Sequence, residues 1–110
     1  MGVGRFLISV PQQTLDDLQA RLTRSRWADE IDGGWTFGTD RTALRELVKY
    51  WAGVFDWRRQ EDAMHRFAHF RADVNGFNVH FIHERGAGDY SLPIVLTHGY
   101  PDSASVPEAH

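Results

Sequence analysis

The residues best suited to chemistry form a short stretch at 92–101, which reads L-P-I-V-L-T-H-G-Y-P. Its aliphatic run at 94–97 predicts a strand covered on both faces. Directly after that run, Gly99 allows a sharp turn, and Pro101 fixes the next φ and can follow a cis bond. The Tyr100 amide would then point into a cleft, where a preorganised N–H group stabilises a developing oxyanion. Because Gly and Pro are common in loops of every kind, a plain strand-to-loop turn explains these residues as well.

Two pairs of histidines have spacings that raise the question of a metal site. His65 and His69 lie four apart, and His80 and His83 lie three apart. The first pair would share a helix face only if a helix continued as far as residue 69, and the second pair would point to opposite faces of a strand. No cluster of Asp or Glu joins either pair at ligand spacing. We therefore expect no metal, and we interpret these histidines as core or surface residues.

Two further groups of residues have both a functional and a structural interpretation. The stretch D-W-R-R-Q-E at 56–61 could bind an anion through Arg58 and Arg59, but a helix start with a solvated charged face explains it equally well. Six aromatic residues could line a hydrocarbon-binding pocket, although aromatic stripes at helical spacing are usually core and docking surface. They are Trp27, Trp35, Phe37, Trp51, Phe55 and Trp57.

The composition narrows the class of protein. A chain of 110 residues favours one domain with one modest core. The formal net charge of -3 gives no basic surface for phosphates, so we expect no nucleic-acid partner. We find neither an apolar stretch of the roughly 20 residues that span a bilayer nor a secretory signal pattern. Cysteine is absent, which removes disulfides and thiolate chemistry. These features predict a soluble, cytoplasmic chain without a transmembrane segment.

Three helices are predicted before the sheet. Apolar residues at helical spacing indicate a helix over about 12–26, with Thr14 expected to cap its start. The segment T-D-R-T-A-L-R-E-L-V-K-Y-W-A-G-V-F predicts a second helix, and Asp56 is expected to cap a third over D-W-R-R-Q-E-D-A-M-H-R-F. The stretch at 27–38 has no sustained period and predicts a loop. Its apolar side chains predict that this loop packs onto another surface.

The last third of the chain has the pattern of a sheet. From Phe70, the sequence alternates with a period of two about Asn75-Gly76, which predicts a hairpin because both turn positions need positive φ. The alternation places Val79 and the neighbouring phenylalanines on one face and His80 on the other. A helical meander, a hairpin and a central strand together predict an α/β fold whose sheet is unfinished.

These elements closely resemble the start of the microsomal-type epoxide hydrolases. The resemblance is carried by L-D-D-L-Q-A-R-L-T-R-S-R-W after S-V-P, by F-D-W-R-R-Q-E, by H-F-R-A-D-V-N-G-F-N-V-H-F-I-H-E-R and by L-P-I-V-L-T-H-G-Y-P. It runs from about residue 5 to 103. It implies an N-terminal helical meander domain at 5–68, followed at 69–110 by the truncated start of an α/β-hydrolase core.

The resemblance implies a reaction, the hydrolysis of epoxides to vicinal diols without a cofactor. In the family an aspartate opens the epoxide to give an ester, and a histidine backed by an acid activates the water that hydrolyses it, while lid tyrosines polarise the epoxide oxygen. The H-G-x-P turn of the family falls on His98, Gly99, Tyr100 and Pro101, so the Tyr100 amide would be one oxyanion donor. The expected partner is a small-molecule epoxide, once a C-terminal core completes the site.

The nucleophile, the base, the lid tyrosines and the second oxyanion amide would all lie downstream in the family pattern. After Ser103 the family continues into an apolar helix, whereas this chain reads A-S-V-P-E-A-H. A substitute pair of His110 and Asp102 offers no nucleophile and base geometry. We therefore expect the chain to be inactive alone, as a truncated product, a remnant or a fragment of a longer enzyme.

Three expectations about behaviour remain open. The strand at 94–97 would lack both family neighbours, so it is expected to self-associate, with 92–110 poorly ordered. The first alternative to an enzyme fragment is a non-catalytic docking domain, whose aromatic meander binds a full-length hydrolase or another copy. The second alternative is an α/β-hydrolase relative with esterase or dehalogenase chemistry, which the meander disfavours.

Overall fold

The computed structural model describes residues 2–104, so the predicted irregular tail, including His110, lies outside the described residues. The chain divides into two compact units. One is the segment Val10–Trp57, and the other combines the residues before and after it. In chain order the elements are β1 (Val3–Arg5), α1 (Gln12–Thr23), α2 (Arg41–Gly53), α3 (Trp57–Met64), β2 (His69–Val74) and β3 (Phe77–Ile82). The predicted boundary at 68/69 stays a prediction.

The first helix, α1, begins three residues earlier than a Thr14 cap requires. Pro11 is its N-cap residue, and no side chain caps it. The Pro11 carbonyl instead accepts from the Thr14 amide at 3.0 Å, so Thr14 lies inside the first turn and its predicted capping role is wrong. The helix contacts α2, and the Gln19 side-chain amide donates to the Ala52 carbonyl.

The second helix, α2, confirms the strongest helical pattern in the sequence. Its start is capped by Asp40, whose carboxylate accepts from the Ala43 amide at 2.7 Å. The first amide of the helix, that of Arg41, donates to the Glu30 carboxylate at 2.9 Å. These two carboxylates satisfy amides that have no partner inside the helix.

The loop between α1 and α2 is fixed at one end and open at the other. The Arg45 guanidinium lies 5.4 Å from the centre of the Trp27 ring, and the Arg41 guanidinium lies 3.6 Å from the Glu30 carboxylate. Further along, three large apolar side chains are 67–70% exposed, so the expectation that the whole loop packs onto a surface is wrong. These side chains belong to Ile31, Trp35 and Phe37.

The sheet contains three antiparallel strands in the order β1-β2-β3. The hairpin of β2 and β3 is confirmed, with Asn75 at φ 53° and Gly76 at φ 83°. The Asp73 carboxylate accepts from the Gly76 amide at 3.2 Å and closes the turn. The sequence did not predict β1, in which Val3 pairs with Ala72. The start of the chain therefore belongs to the sheet as well as its last third.

The register gives the sheet two chemically different faces. Arg71 pairs with His80, which places both on a polar face with His69. Phe70 pairs with Phe81 on the opposite, apolar face, where their rings lie 5.7 Å apart. Ala72, on the apolar face, is the one buried hydrophobic residue within the described range. Phe77 and Val79 on this face are exposed, so much of the apolar face is uncovered.

The segment at 92–97 does not form the predicted covered strand. Within residues 2–104 it contains no strand, and its aliphatic side chains are exposed. The reason is the absence of pairing partners: β1, β2 and β3 pair only with one another. A continuous apolar run becomes a buried strand only between neighbours that supply hydrogen bonds. None of the described helices is both long and apolar enough to cross a bilayer.

Candidate functional site

The H-G-Y-P turn at 98–101 has a defined backbone conformation. The Gly99 carbonyl accepts from the Asp102 amide at 2.9 Å, and His98 Nδ1 lies 2.9 Å from the same carbonyl oxygen. The Tyr100–Pro101 peptide bond is cis, as the sequence allowed. The Tyr100 side chain is 100% exposed. One carbonyl thus holds both ends of the turn.

The Tyr100 amide of this turn is the oxyanion donor predicted from the sequence. In the described part of the chain, no hydrogen bond engages the Tyr100 amide, so its N–H group is available to an oxyanion. An oxyanion site needs donors that converge on one point in a dry cleft. Within residues 2–104, no group of three or more His, Cys, Asp or Glu residues comes together around a common point. Among these residues the turn therefore lies beside no such cluster.

The two histidine pairs suggested by sequence spacing do not form. Helix α3 ends at Met64, so His65 and His69 do not share a helix face. The His65 ring lies instead with Nε2 2.7 Å from the Ile8 carbonyl oxygen. The expectation that His80 and His83 point to opposite faces is confirmed, because the His83 ring lies 6.1 Å from that of Phe70 on the apolar face.

A different pair, His69 and His80, is the most organised polar group on the sheet. His69 is 4% exposed, and its Nδ1 lies 3.0 Å from Nε2 of His80. Its other ring nitrogen, Nε2, lies 2.7 Å from the carbonyl oxygen of Met64, the last residue of α3. The two rings are nearly parallel, with an interplanar angle of 15°. We call these two residues the histidine pair.

The hairpin register, which the Asn75-Gly76 turn sets, predicts the histidine pair, whereas the spacing of histidines along the chain does not. A two-residue turn at Asn75-Gly76 places Arg71 opposite His80. His69 lies two residues before Arg71 and so shares its face, on the diagonal to His80. The turn therefore predicts that His69 and His80 are diagonal neighbours. Spacings of three or four residues along the chain instead suggest the pairs His65 with His69 and His80 with His83, which do not form.

The surroundings of the histidine pair disfavour additional positive charge. Burial lowers the pKa of His80, and His69 and the Arg71 guanidinium lower it further. Arg71 also lies over the Phe6 ring at 3.6 Å, and the edge of that ring faces His80 at 5.6 Å. A fixed cation therefore stands beside the pair.

In the anion site predicted at the start of α3, one of the two arginines, Arg58, is paired with a carboxylate of the same helix. The Arg58 guanidinium lies 2.7 Å from the Glu61 carboxylate, which is buried. A buried carboxylate needs such a counter-charge, since an unpaired buried charge is costly. The structural interpretation of the D-W-R-R-Q-E stretch therefore accounts for Arg58.

Comparison with known proteins identifies the family. A family model described as the epoxide hydrolase N terminus matches residues 3–106. The chain belongs to this family. Among epoxide hydrolases, a Stigmatella aurantiaca protein named "Putative epoxide hydrolase" is 42% identical over 103 residues, which are 93% of this chain and 23% of that protein. Epoxide hydrolase 1 of Sus scrofa is 27% identical over 101 residues, which are 87% of this chain and 22% of that protein.

Solved epoxide hydrolase structures share the architecture. The Aspergillus niger epoxide hydrolase superposes with a TM-score of 0.68 at 27% identity, covering 74% of this chain and 22% of that one. The juvenile hormone epoxide hydrolase of Bombyx mori, at 24% identity, shows the same fold with a TM-score of 0.67. Helices followed by a small antiparallel sheet match the start of these α/β-hydrolase structures, so the predicted fold class is confirmed. The chain spans 22–23% of the length of the curated relatives it matches.

Proposed function

We propose that this chain is the N-terminal part of an epoxide hydrolase that converts epoxides to vicinal diols and that it is inactive without a C-terminal core. The observation that carries the proposal is the family match over residues 3–106, a range that contains the H-G-Y-P turn. The same observation disfavours esterase or dehalogenase chemistry, because the matched region is the epoxide hydrolase N terminus. The enzyme would act in the cytoplasm, where removal of reactive epoxides is a detoxification.

The turn would act in the second chemical step. In the first step a carboxylate of the core would attack an epoxide carbon and form an ester, and the C–O bond to that carbon would break. The ring oxygen would stay on the neighbouring carbon and become a hydroxyl by taking a proton from a lid tyrosine. In the second step a water that gives a proton to the histidine would attack the ester carbonyl, and collapse of the resulting intermediate would break the ester C–O bond, release the diol and restore the carboxylate. Negative charge develops on the carbonyl oxygen of that intermediate. The Tyr100 amide would donate to that oxygen, with Gly99 and Pro101 fixing its direction and His98 bracing the turn through the Gly99 carbonyl.

The uncovered apolar surfaces support completion by a core. The apolar face of the sheet and the segment at 92–97 expose large aliphatic and aromatic side chains, among them Val95 at 89%. Apolar patches of this kind mark interaction surfaces. A core of the size seen in the relatives would supply the strands and helices that cover them.

A domain exchange tests the proposal. Residues 1–103 would replace the matching region of the Stigmatella aurantiaca relative, and diol formation from styrene oxide would be measured by chromatography. We expect activity from the chimera and none from the 110-residue chain or from the relative's remaining segment alone. The unmodified relative is the positive control. The proposal would be rejected if the chimera had the same melting temperature as the unmodified relative but formed no diol in an assay in which that relative is active.

The second candidate function is non-catalytic association of two copies through 94–97. It is favoured by the exposed Ile94, Val95 and Leu96, which lie in an extended segment without a paired strand among the described residues. Val95→Lys should shift the chain toward the monomer in sedimentation velocity, because a charge at a strand edge opposes pairing. Ser91→Lys, which adds the same charge outside the segment, is the matched control. Identical sedimentation of the native chain and Val95→Lys would remove this candidate.

A further inference from the structure

The histidine pair can hold only a limited number of protons. The Met64 carbonyl oxygen is an acceptor, so the hydrogen bond from His69 places a proton on His69 Nε2. A neutral His69 then presents Nδ1 as a bare acceptor, and the proton between the rings belongs to His80 Nε2. The 3.0 Å contact between the two nitrogens has room for one proton.

Two imidazolium rings are incompatible with this contact. One added proton on the outer Nδ1 of His80 leaves the inter-ring hydrogen bond intact. A second added proton, on Nδ1 of His69, places two N–H groups face to face at 3.0 Å and two positive charges side by side. The fully protonated pair must therefore separate. Because His69 also bonds the Met64 carbonyl, a separation that moves the His69 ring affects the end of α3.

The charged groups around the histidine pair come from both elements that contact it. On β2, Arg71 lies opposite His80, and Asp73, further along the same face, already accepts from the Gly76 amide. On α3, the buried Glu61 is paired with Arg58 at 2.7 Å. After α3, the His65 ring bonds the Ile8 carbonyl. Of the cations named here, Arg71 is the one whose charge lowers the pKa of His80.

We propose that the histidine pair is a proton-operated latch that fastens the end of α3 to the sheet at neutral pH and releases it in acid, when both rings become protonated. Release would free the Met64 carbonyl, which also accepts from the Phe67 amide at 3.1 Å. The connection between α3 and β2 would then loosen while the hairpin, closed by its own turn, persists.

The direction of the pH dependence follows from the pKa of His80, which burial, His69 and Arg71 lower from its ordinary value. Near the ordinary histidine pKa of about 6.5, the folded state then binds fewer protons than the unfolded state. Stability therefore rises with pH in this range. The stability contributed by the histidine pair is complete above about pH 6.5 and falls as the pH drops toward the lowered pKa of His80, while the inter-ring contact itself breaks when a second proton enters the pair.

Imidazole NMR on the full 110-residue chain, labelled with ¹⁵N-histidine, tests the proposal directly. At pH 7.5 we expect His69 as the neutral Nε2–H tautomer with an unprotonated Nδ1. On acidification, protonation of His69 and His80 should coincide with faster exchange of the Phe67 amide. Corrected for intrinsic exchange, the opening should increase roughly tenfold per pH unit for each extra proton taken up.

Two glutamine variants provide the matched comparison. His80→Gln keeps a side-chain N–H group that can donate to His69 and removes one titrating ring, so opening at the Phe67 amide should require a lower pH. His83→Gln removes a histidine from the opposite face and should leave the native transition unchanged. A His69 found as the Nδ1–H tautomer, or an unchanged transition in His80→Gln, would overturn the proposal.

Discussion

The two histidine-bearing regions of this chain contrast in how completely they are built. In the H-G-Y-P turn the Tyr100 side chain is exposed, and no hydrogen bond within the described residues engages the Tyr100 amide. The histidine pair is partly buried and has every inward-facing ring nitrogen engaged. The turn thus leaves the Tyr100 amide without a partner among the described residues, while the pair completes its own contacts. A motif that is conspicuous in sequence need not be the most organised site in the fold.

The largest effect should come from removing the amide of the turn in an active chimera. Tyr100→Pro deletes the N–H group, and loss of one oxyanion donor lowers kcat about 10²–10³-fold. The ester intermediate should accumulate, because the lost donor serves its hydrolysis. Tyr100→Phe keeps the amide and should retain most of the activity. Rapid-quench kinetics with mass spectrometry would measure both quantities, and equal rates for the two variants would exclude a role for this amide.

A smaller effect, on stability, should separate the two histidine regions. His69→Ala removes two hydrogen bonds and a buried ring, which should lower the free energy of unfolding by about 2–3 kcal/mol. His98→Ala, in the exposed turn, should leave the urea midpoint unchanged. Urea denaturation at pH 7.5 measures both variants. Equal midpoints would show that the histidine pair contributes no more to the fold than the turn does.

The smallest effect concerns the hairpin that brings the histidine pair together. Gly76→Ala places a side chain at φ 83° in open space, so the cost is that of the backbone alone, about 1–2 kcal/mol. Gly88→Ala also meets no neighbour, and its φ lies outside the left-handed region, which makes it the control. Thermal unfolding measured by circular dichroism should distinguish them. Matching melting temperatures would mean that the turn does not set the register.

Local sequence signals predicted the elements that local interactions determine. The hairpin followed from Asn75-Gly76 because both residues need positive φ, and α2 followed from its apolar spacing. The cap at Asp40 was missed, although an acceptor side chain at that position is a common helix start. The turn at 98–101 was recognised through its glycine and proline, and its use as an oxyanion site stays a prediction.

The features that the sequence analysis missed or predicted wrongly depend on residues that are distant in the sequence. The three-residue β1 is too short to show alternation, and it is a strand because β2 offers an edge. The segment at 94–97 has the composition of a buried strand but has no neighbouring strand among the described residues. His69 and His80 meet through the sheet register and so could not be paired by counting along a helix or strand.

The pairing of β1 with β2 has a consequence for how the chain is made. Val3 finds its partner at Ala72, so a ribosome must add 69 more residues before this strand can join the sheet. The segment Val10–Trp57, inserted between the two portions of the other unit, is complete well before that point. Domains generally fold as units, starting with those synthesised first. Helices α1 and α2, which lie in this segment, should therefore assemble during translation before β1 can join the sheet.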